Sequence, residues 1–208
     1  ILNITWTREG TIPAVQVRFS NDSGGNYTVL TNITGQNYYE WPIPDDIGSN
    51  CSILIRDKND TDVKDNSTNL FAIKGAIEVT QPNSTSIDWL AGSAQDIKFK
   101  TQGTYTKKID IYYRNLSTNN WLYIGNANPG ADNTTVTKAW PGGLPDDITT
   151  NASIRVMTNE TNDLVNVTDF SNVEFRIKGS VHLDVPNAST VLWHPGENVK
   201  INWTSVGN

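Results

Sequence analysis

An asparagine followed two residues later by Ser or Thr, with no Pro between, can accept an oligosaccharide on its side-chain amide, and this chain holds 15 such triplets among 25 asparagines. They stand at Asn3, Asn21, Asn26, Asn32, Asn50, Asn59, Asn66, Asn83, Asn115, Asn133, Asn151, Asn159, Asn166, Asn187 and Asn202. Ser and Thr make up 38 of the 208 residues, so random placement would give roughly five triplets. The excess points to a chain displayed outside the cell, on the cell surface or in a secreted fibril. Its expected covalent groups are N-linked glycans, with no other cofactor.

Other chemistry is sparse. His182 and His194 are the only histidines, and neither has a Cys or the second His at ligand spacing. The paired carboxylates Asp45-Asp46 and Asp146-Asp147 recur, which raises acid/base or calcium chemistry. Each pair follows Pro, however, in a setting where Asp bonds its own turn backbone. The stretch Asp57 to Asp62 is acidic but lacks the Gly and distant Glu of a calcium loop, and reads as a solvated hairpin tip. A phosphate-cradling glycine loop and a nucleophile elbow are both absent. No catalytic residue and no metal ligand is expected, and the chain reads as a non-enzyme.

The elements that must carry the asparagines are β-strands. The sequence has 24 Thr, seven Trp, seven Tyr, 15 Gly and nine Pro against one Met, and only 18% charged residues, poor material for exposed helices. A net charge of -6 argues against nucleic acid, whose phosphates need basic patches. It argues equally against an anionic membrane surface, and no apolar run is long enough to insert. Cys51 stands alone, so no internal disulfide is possible; alternation places its thiol beside Ile53 and Ile55 as a small buried hydrophobe. Without a signal peptide or initiator Met, the chain reads as a mature or internal piece.

The strands are organised in a repeat of about one hundred residues, a usual size for a β-sandwich. Trp41-Pro42-Ile43-Pro44-Asp45-Asp46-Ile47 returns as Trp140-Pro141-Gly142-Gly143-Leu144-Pro145-Asp146-Asp147-Ile148. Phe71-Ala72-Ile73-Lys74-Gly75 returns as Phe175-Arg176-Ile177-Lys178-Gly179, and Trp89-Leu90-Ala91-Gly92 as Trp193-His194-Pro195-Gly196. Three segments follow: 1-75, a repeat without its first strand; 76-179, a complete repeat; and 180-208, the first two strands of a third. In the complete repeat, alternating apolar runs predict seven strands near 76-80, 96-101, 108-114, 120-125, 133-140, 152-157 and 172-178. Val15, Val17 and Phe19 face inward, as do Ile109, Ile111 and Tyr113. Trp6, Trp41, Trp140 and Trp203 are assigned to cores, with Val199 and Ile201 inward beside Trp203. Asn3 and Asn202 then point outward, and Asn50 and Asn151 precede small inward residues.

The order Pro-Asn, Trp-x-x-Gly, a strand, Ser20-Asn21-Asp22-Ser23-Gly24-Gly25-Asn26-Tyr27, Trp-Pro, a Ser-Ile strand and Phe-x-Ile-Lys-Gly resembles the Ser/Thr-rich GPI-anchored membrane protein repeat. That family is found also in fungal cell-wall glucan-assembly proteins and microbial surface arrays. The resemblance spans nearly the whole chain and implies an extracellular immunoglobulin-like or fibronectin-like module without catalytic residues. The sequon density and the insertion at 125-135 depart from it.

The expected function is therefore structural: a non-catalytic module of a heavily N-glycosylated stalk or fibril. Its partners would be neighbouring repeats or copies of itself, with wall or matrix polysaccharide possible. A carbohydrate-binding or adhesion module is the alternative, suggested by Tyr38, Tyr112 and Trp121, although Trp121 corresponds to Tyr27 at a position that suits core packing. An accessory domain of a secreted enzyme is a third reading. The incomplete end repeats need cover, either from further repeats of one polypeptide or from strand addition between subunits. The Lys-Gly junctions at 74-75 and 178-179 favour the first.

Overall fold

Alternation of apolar and polar residues at a period of two leaves one face of each segment to bury, and the computed structural model resolves these segments as strands throughout, apart from one short 3-10 turn at Asp163–Val165. It describes residues 2–84, 86–115 and 117–207. The fold is all-β sandwich. Two units separate: unit 1 is Ile1–Ala76 with Gln102–Lys107 and Thr158–Val167; unit 2 is Ile77–Thr101, Lys108–Met157 and Thr168–Asn208.

Unit 1 contains β1 (Leu2–Thr5), β2 (Ala14–Ser20), β3 (Thr28–Thr34), β4 (Tyr38–Trp41), β5 (Gly48–Asp57), β6 (Lys64–Asn66) and β7 (Phe71–Ile73). One sheet is the pair β1-β4; the other runs β3-β2-β5-β6, with β7 also on β5. Val17, Phe19, Trp41, Cys51, Ile53 and Ile73 form the core between them. Trp41 fixes its centre, with the Phe19 ring 5.1 Å away and Phe71 edge-on at 6.0 Å. Burial raises the Cys51 thiol pKa, as expected for a packed hydrophobe. Trp6, assigned to the core by sequence, is only half-buried, and its Nε1 is enclosed without a hydrogen-bond partner.

Unit 2 contains β8 (Ala76–Gln81), β9 (Asp88–Leu90), β10 (Asp96–Gln102), β11 (Ile109–Asn115), β12 (Leu122–Ala127), β13 (Thr135–Ala139), β14 (Thr149–Thr158), β15 (Thr168–Phe170), β16 (Phe175–Lys178), β17 (Ser180–Val185) and β18 (Asn202–Val206), with β8, β10 and β14 each sharing one end residue with unit 1. The sheet β13-β10-β8 packs against β12-β11-β14-β16-β9, with β15 on β14. Ile97 and Phe99 from the first sheet are fully buried, as are Ile109, Ile111, Ile154, Val156, Phe175 and Ile177 from the second. Trp140 closes the core, 5.2 Å from Tyr113 and 6.4 Å from Trp89.

Two strands escaped the sequence pattern. Both β9 and β15 are three residues long, too short for alternation to register. β9 nevertheless places Trp89 against Phe175, ring centroids 4.8 Å apart, by running parallel to β16. A second correction concerns β17 and β18. They pair only with each other, so no opposing sheet covers them among the described residues. Val199, Ile201 and Trp203, expected inward, are exposed at 42%, 56% and 63%.

The same glycine contact is built once within each unit. In unit 1 a Cβ on Gly103, whose φ is +90°, would stand 2.9 Å from Ile47 Cδ1 and 3.4 Å from Gly75 Cα. In unit 2 a Cβ on Gly207, at φ +109°, would stand 2.6 Å from Ile148 Cδ1 and 2.8 Å from Gly179 Cα. Only glycine fits both the backbone and the gap.

Candidate functional site

The strand faces decide which sequon amides reach solvent. Twelve of the 15 asparagines are exposed, Asn83 and Asn166 are half-buried, and Asn115 is buried, so the set divides by accessibility. Asn50 and Asn151, at equivalent points of β5 and β14, are exposed next to buried Cys51 and Ala152. Asn187 is exposed after Pro186, while the Asn83 Oδ1 accepts the Asn172 N–H at 2.7 Å.

Asn115 differs because the alternation that buries Ile109, Ile111 and Tyr113 carries it inward as well. Its Nδ2 donates to Asp147 at 2.6 Å, and its Oδ1 accepts from Ser117 N–H and the Thr149 hydroxyl. The Tyr113 hydroxyl donates to the same Asp147 carboxylate at 2.9 Å, and burial followed by this carboxylate raises the tyrosine pKa. The equivalent pair in unit 1, Asn21 to Asp46 at 2.9 Å, is made at the surface. Asn166 is bound too, its Nδ2 donating to Glu160 O at 3.4 Å and its Oδ1 accepting the Glu160 N–H at 2.6 Å and the Thr158 hydroxyl at 3.1 Å.

Three of the paired aspartates, Asp45, Asp46 and Asp147, therefore accept bonds from distant residues, which corrects for these three the expectation that they cap their own turns. Asp45 accepts the Thr104 N–H at 2.8 Å and its hydroxyl at 2.7 Å, and the Thr104 bonds lower its pKa. Glu160 accepts the Thr106 and Lys107 N–H groups and the Thr106 hydroxyl; partial burial raises its pKa, and these bonds together outweigh it and leave the pKa lowered. Tyr105, buried nearby, is pushed up to about 12, first by burial and then by Glu160 and Asp45. The tip at 57–62 bonds internally as expected, with Asp57 accepting from Asn59 and Asp60 from Asp62. No group of three or more His, Cys, Asp or Glu able to hold a metal occurs among the described residues. His182 and His194 are exposed and face Asp184 at 3.9 Å and Glu197 at 3.3 Å.

The three aromatics behind the carbohydrate-binding alternative do not form one platform. Tyr38 lies on β4 of unit 1. Tyr112 and Trp121 lie in unit 2, and Trp121 packs on the outer face rather than in the core. The Arg155 guanidinium stands 4.3 Å from the Tyr112 ring centroid and 4.7 Å from that of Trp121, and Arg114 stands 4.5 Å from Trp121. Phe170 and Tyr123 extend the stack, Phe170 at 5.7 Å from Trp121 and Tyr123 at 5.4 Å from Tyr112. The guanidinium groups occupy ring faces that a sugar would need. Sequence reasoning missed this cluster, although Tyr112, Arg114 and Arg155 all fall at outward positions of their strands.

No protein-family model matches the chain. No curated protein matches it either. Among solved structures, the chain is similar to the fibronectin(III)-like modules of CbhA from Clostridium thermocellum, at 16% identity over 85% of each chain with a TM-score of 0.34. It is also similar to a marsupial T cell receptor, at 11% identity over 87% of this chain and 72% of that one, again with a TM-score of 0.34. No helix among the described residues is long and apolar enough to cross a membrane.

Proposed function

We propose that this chain is a non-catalytic structural module of an N-glycosylated extracellular stalk or fibril, built from tandem β-sandwich repeats. One observation carries the reading: 12 of 15 sequon asparagines lie exposed on strands and turns around apolar cores, where a glycan adds bulk and hydration without disturbing packing. Its partners in this reading are neighbouring repeats of the same kind and the polysaccharide of a wall or matrix. The resemblance to the Ser/Thr-rich surface repeat supports the same assignment. The sugar-binding alternative loses support because its aromatics are divided between units and the Trp121 ring is stacked by arginines.

Glycan is expected at Asn50, Asn151, Asn83 and Asn187, and not at Asn115, whose buried amide nitrogen is turned onto Asp147 with no room for a sugar. Intact-mass measurement of the protein from its source, before and after glycan removal, with peptide mapping, tests this. A large mass loss that maps to the exposed sites supports the reading; an unchanged mass refutes it.

A further inference from the structure

The larger sheets of the two units hold the arginines of their outer faces differently. In unit 1, Arg18 on β2 donates to Gln16 Oε1 and to the Tyr27 carbonyl, and Arg56 on β5 donates to Gln16 Oε1 at 2.9 Å. In unit 2, Arg114 on β11 donates to Asn119 Oδ1 at 2.9 Å. Among the described residues, no hydrogen bond or carboxylate meets the guanidinium of Arg155 on β14. Arg114 and Arg155 stand 4.5 and 4.7 Å from the Trp121 ring centroid, so two like charges are held against one ring. The Nε of each is enclosed without a partner. Cations held close in this state repel each other and draw an anion. Tyr123 and Phe170 flank the stack and are 54% and 44% exposed. Asp110 lies on the far side of Tyr112 from Arg114 along β11 and bounds the patch there.

We propose that this face of unit 2 binds uronate residues of an acidic polysaccharide, which deepens the wall-or-matrix reading and rests on it. A guanidinium held over an aromatic ring still presents its outer N–H edge, where a carboxylate accepts two parallel bonds. The arginines that close the Trp121 ring to a neutral sugar are thus the donors that an acidic sugar needs. Charge selects the anion. The chain has 22 carboxylate side chains against 16 Lys and Arg, yet none pairs with Arg114 or Arg155 among the described residues. The rim selects the sugar. A uronate carries its carboxylate and an apolar face on one six-membered ring, so that face can lie on Tyr123 or Phe170 while the carboxylate reaches an arginine. An aspartate or glutamate side chain has no such face, and an acidic peptide would leave the rim uncovered.

Calorimetric titration of the recombinant, unglycosylated chain with short oligogalacturonates tests the proposal, with neutral glucan oligomers and poly-glutamate as companion ligands. The expected result is saturable binding of the oligogalacturonate and much weaker binding of the other two. Arg155→Gln should weaken it about tenfold, the weight of one hydrogen bond to a charged group. Arg155→Lys should recover only part of that loss, because an ammonium keeps the charge without the paired donors. Phe170→Ala, at an exposed residue, should weaken binding severalfold while leaving both charges in place. Arg56→Gln, on the corresponding face of unit 1, should change nothing. Circular dichroism checks that each variant is folded. Absence of saturable binding would overturn the proposal, as would equal binding of the neutral glucan or of poly-glutamate. Binding that survives combined Arg114→Gln and Arg155→Gln would overturn it equally. Failure of the glycoprotein fibril reading appears elsewhere, as an absent mass loss on glycan removal.

Discussion

Units 1 and 2 are built from the same strand pattern, yet equivalent side chains are buried to different depths. Phe175 and Ile177 are fully buried in unit 2, while their counterparts Phe71 and Ile73 are half-buried and 7% exposed. Ile154 is fully buried and its counterpart Ile53 is 8% exposed. The two segments hardly differ in hydrophobicity at these positions. What differs is that unit 2 has β8 and β9, whose Val79 and Trp89 cover both sheets. Burial is thus set by the neighbour that a strand finds as much as by the strand's own residues.

Breaking this contrast should cost most where burial is deepest. Phe175→Ala or Trp140→Ala is expected to destabilise unit 2 by about 3–5 kcal/mol, the usual loss on truncating a buried aromatic. Phe71→Ala, from a half-buried site, should cost unit 1 only about 2 kcal/mol. Chemical denaturation followed by tryptophan fluorescence measures both. Next in size is Val79→Ala, which partly opens in unit 2 the gap that unit 1 already has and should cost about 2 kcal/mol.

The aspartates give a smaller and sharper contrast. Asp169→Ala removes a charged acceptor from the Val79 N–H and should cost about 1–3 kcal/mol. Asp65→Ala, at an exposed position of unit 1, should leave thermal stability unchanged.

The smallest effect is a pH dependence in unit 1. Asp22 is held down to about 2 by the Ser20 hydroxyl and the Asn26 N–H, and the Thr104 bonds also lower Asp45. A depressed carboxylate pKa stabilises the fold above its unfolded value. That contribution is lost as pH falls from the ordinary 3.8 through about 2 for Asp22. Melting temperature across this window should fall less steeply in Asp22→Asn and Asp45→Asn than in the unaltered chain.

Much of this was legible in the residues. The alternation in 14–20 and 109–115 located β2 and β11 and their buried faces, and the repeated Trp-Pro turns located both tryptophan cores. The same alternation also placed Asn115 inward, a signal that counting sequons alone overlooks. The partners of Asp45, Asp46 and Asp147 could not be read, because their donors are brought up by tertiary packing from 25 to 59 residues away. The Trp121 stack was hidden for the same reason: its arginines come from β11 and β14, and only the sheet makes them adjacent. Trp203 is exposed because no opposing sheet covers β18 among the described residues.

Hydrogen exchange on the isolated chain tests most directly whether the first strand sets the difference between the units. The account predicts that amides of Val17, Phe19, Ile53 and Ile55 exchange faster than those of Ile111, Tyr113, Ile154 and Val156. Equal protection in the two sets would contradict it.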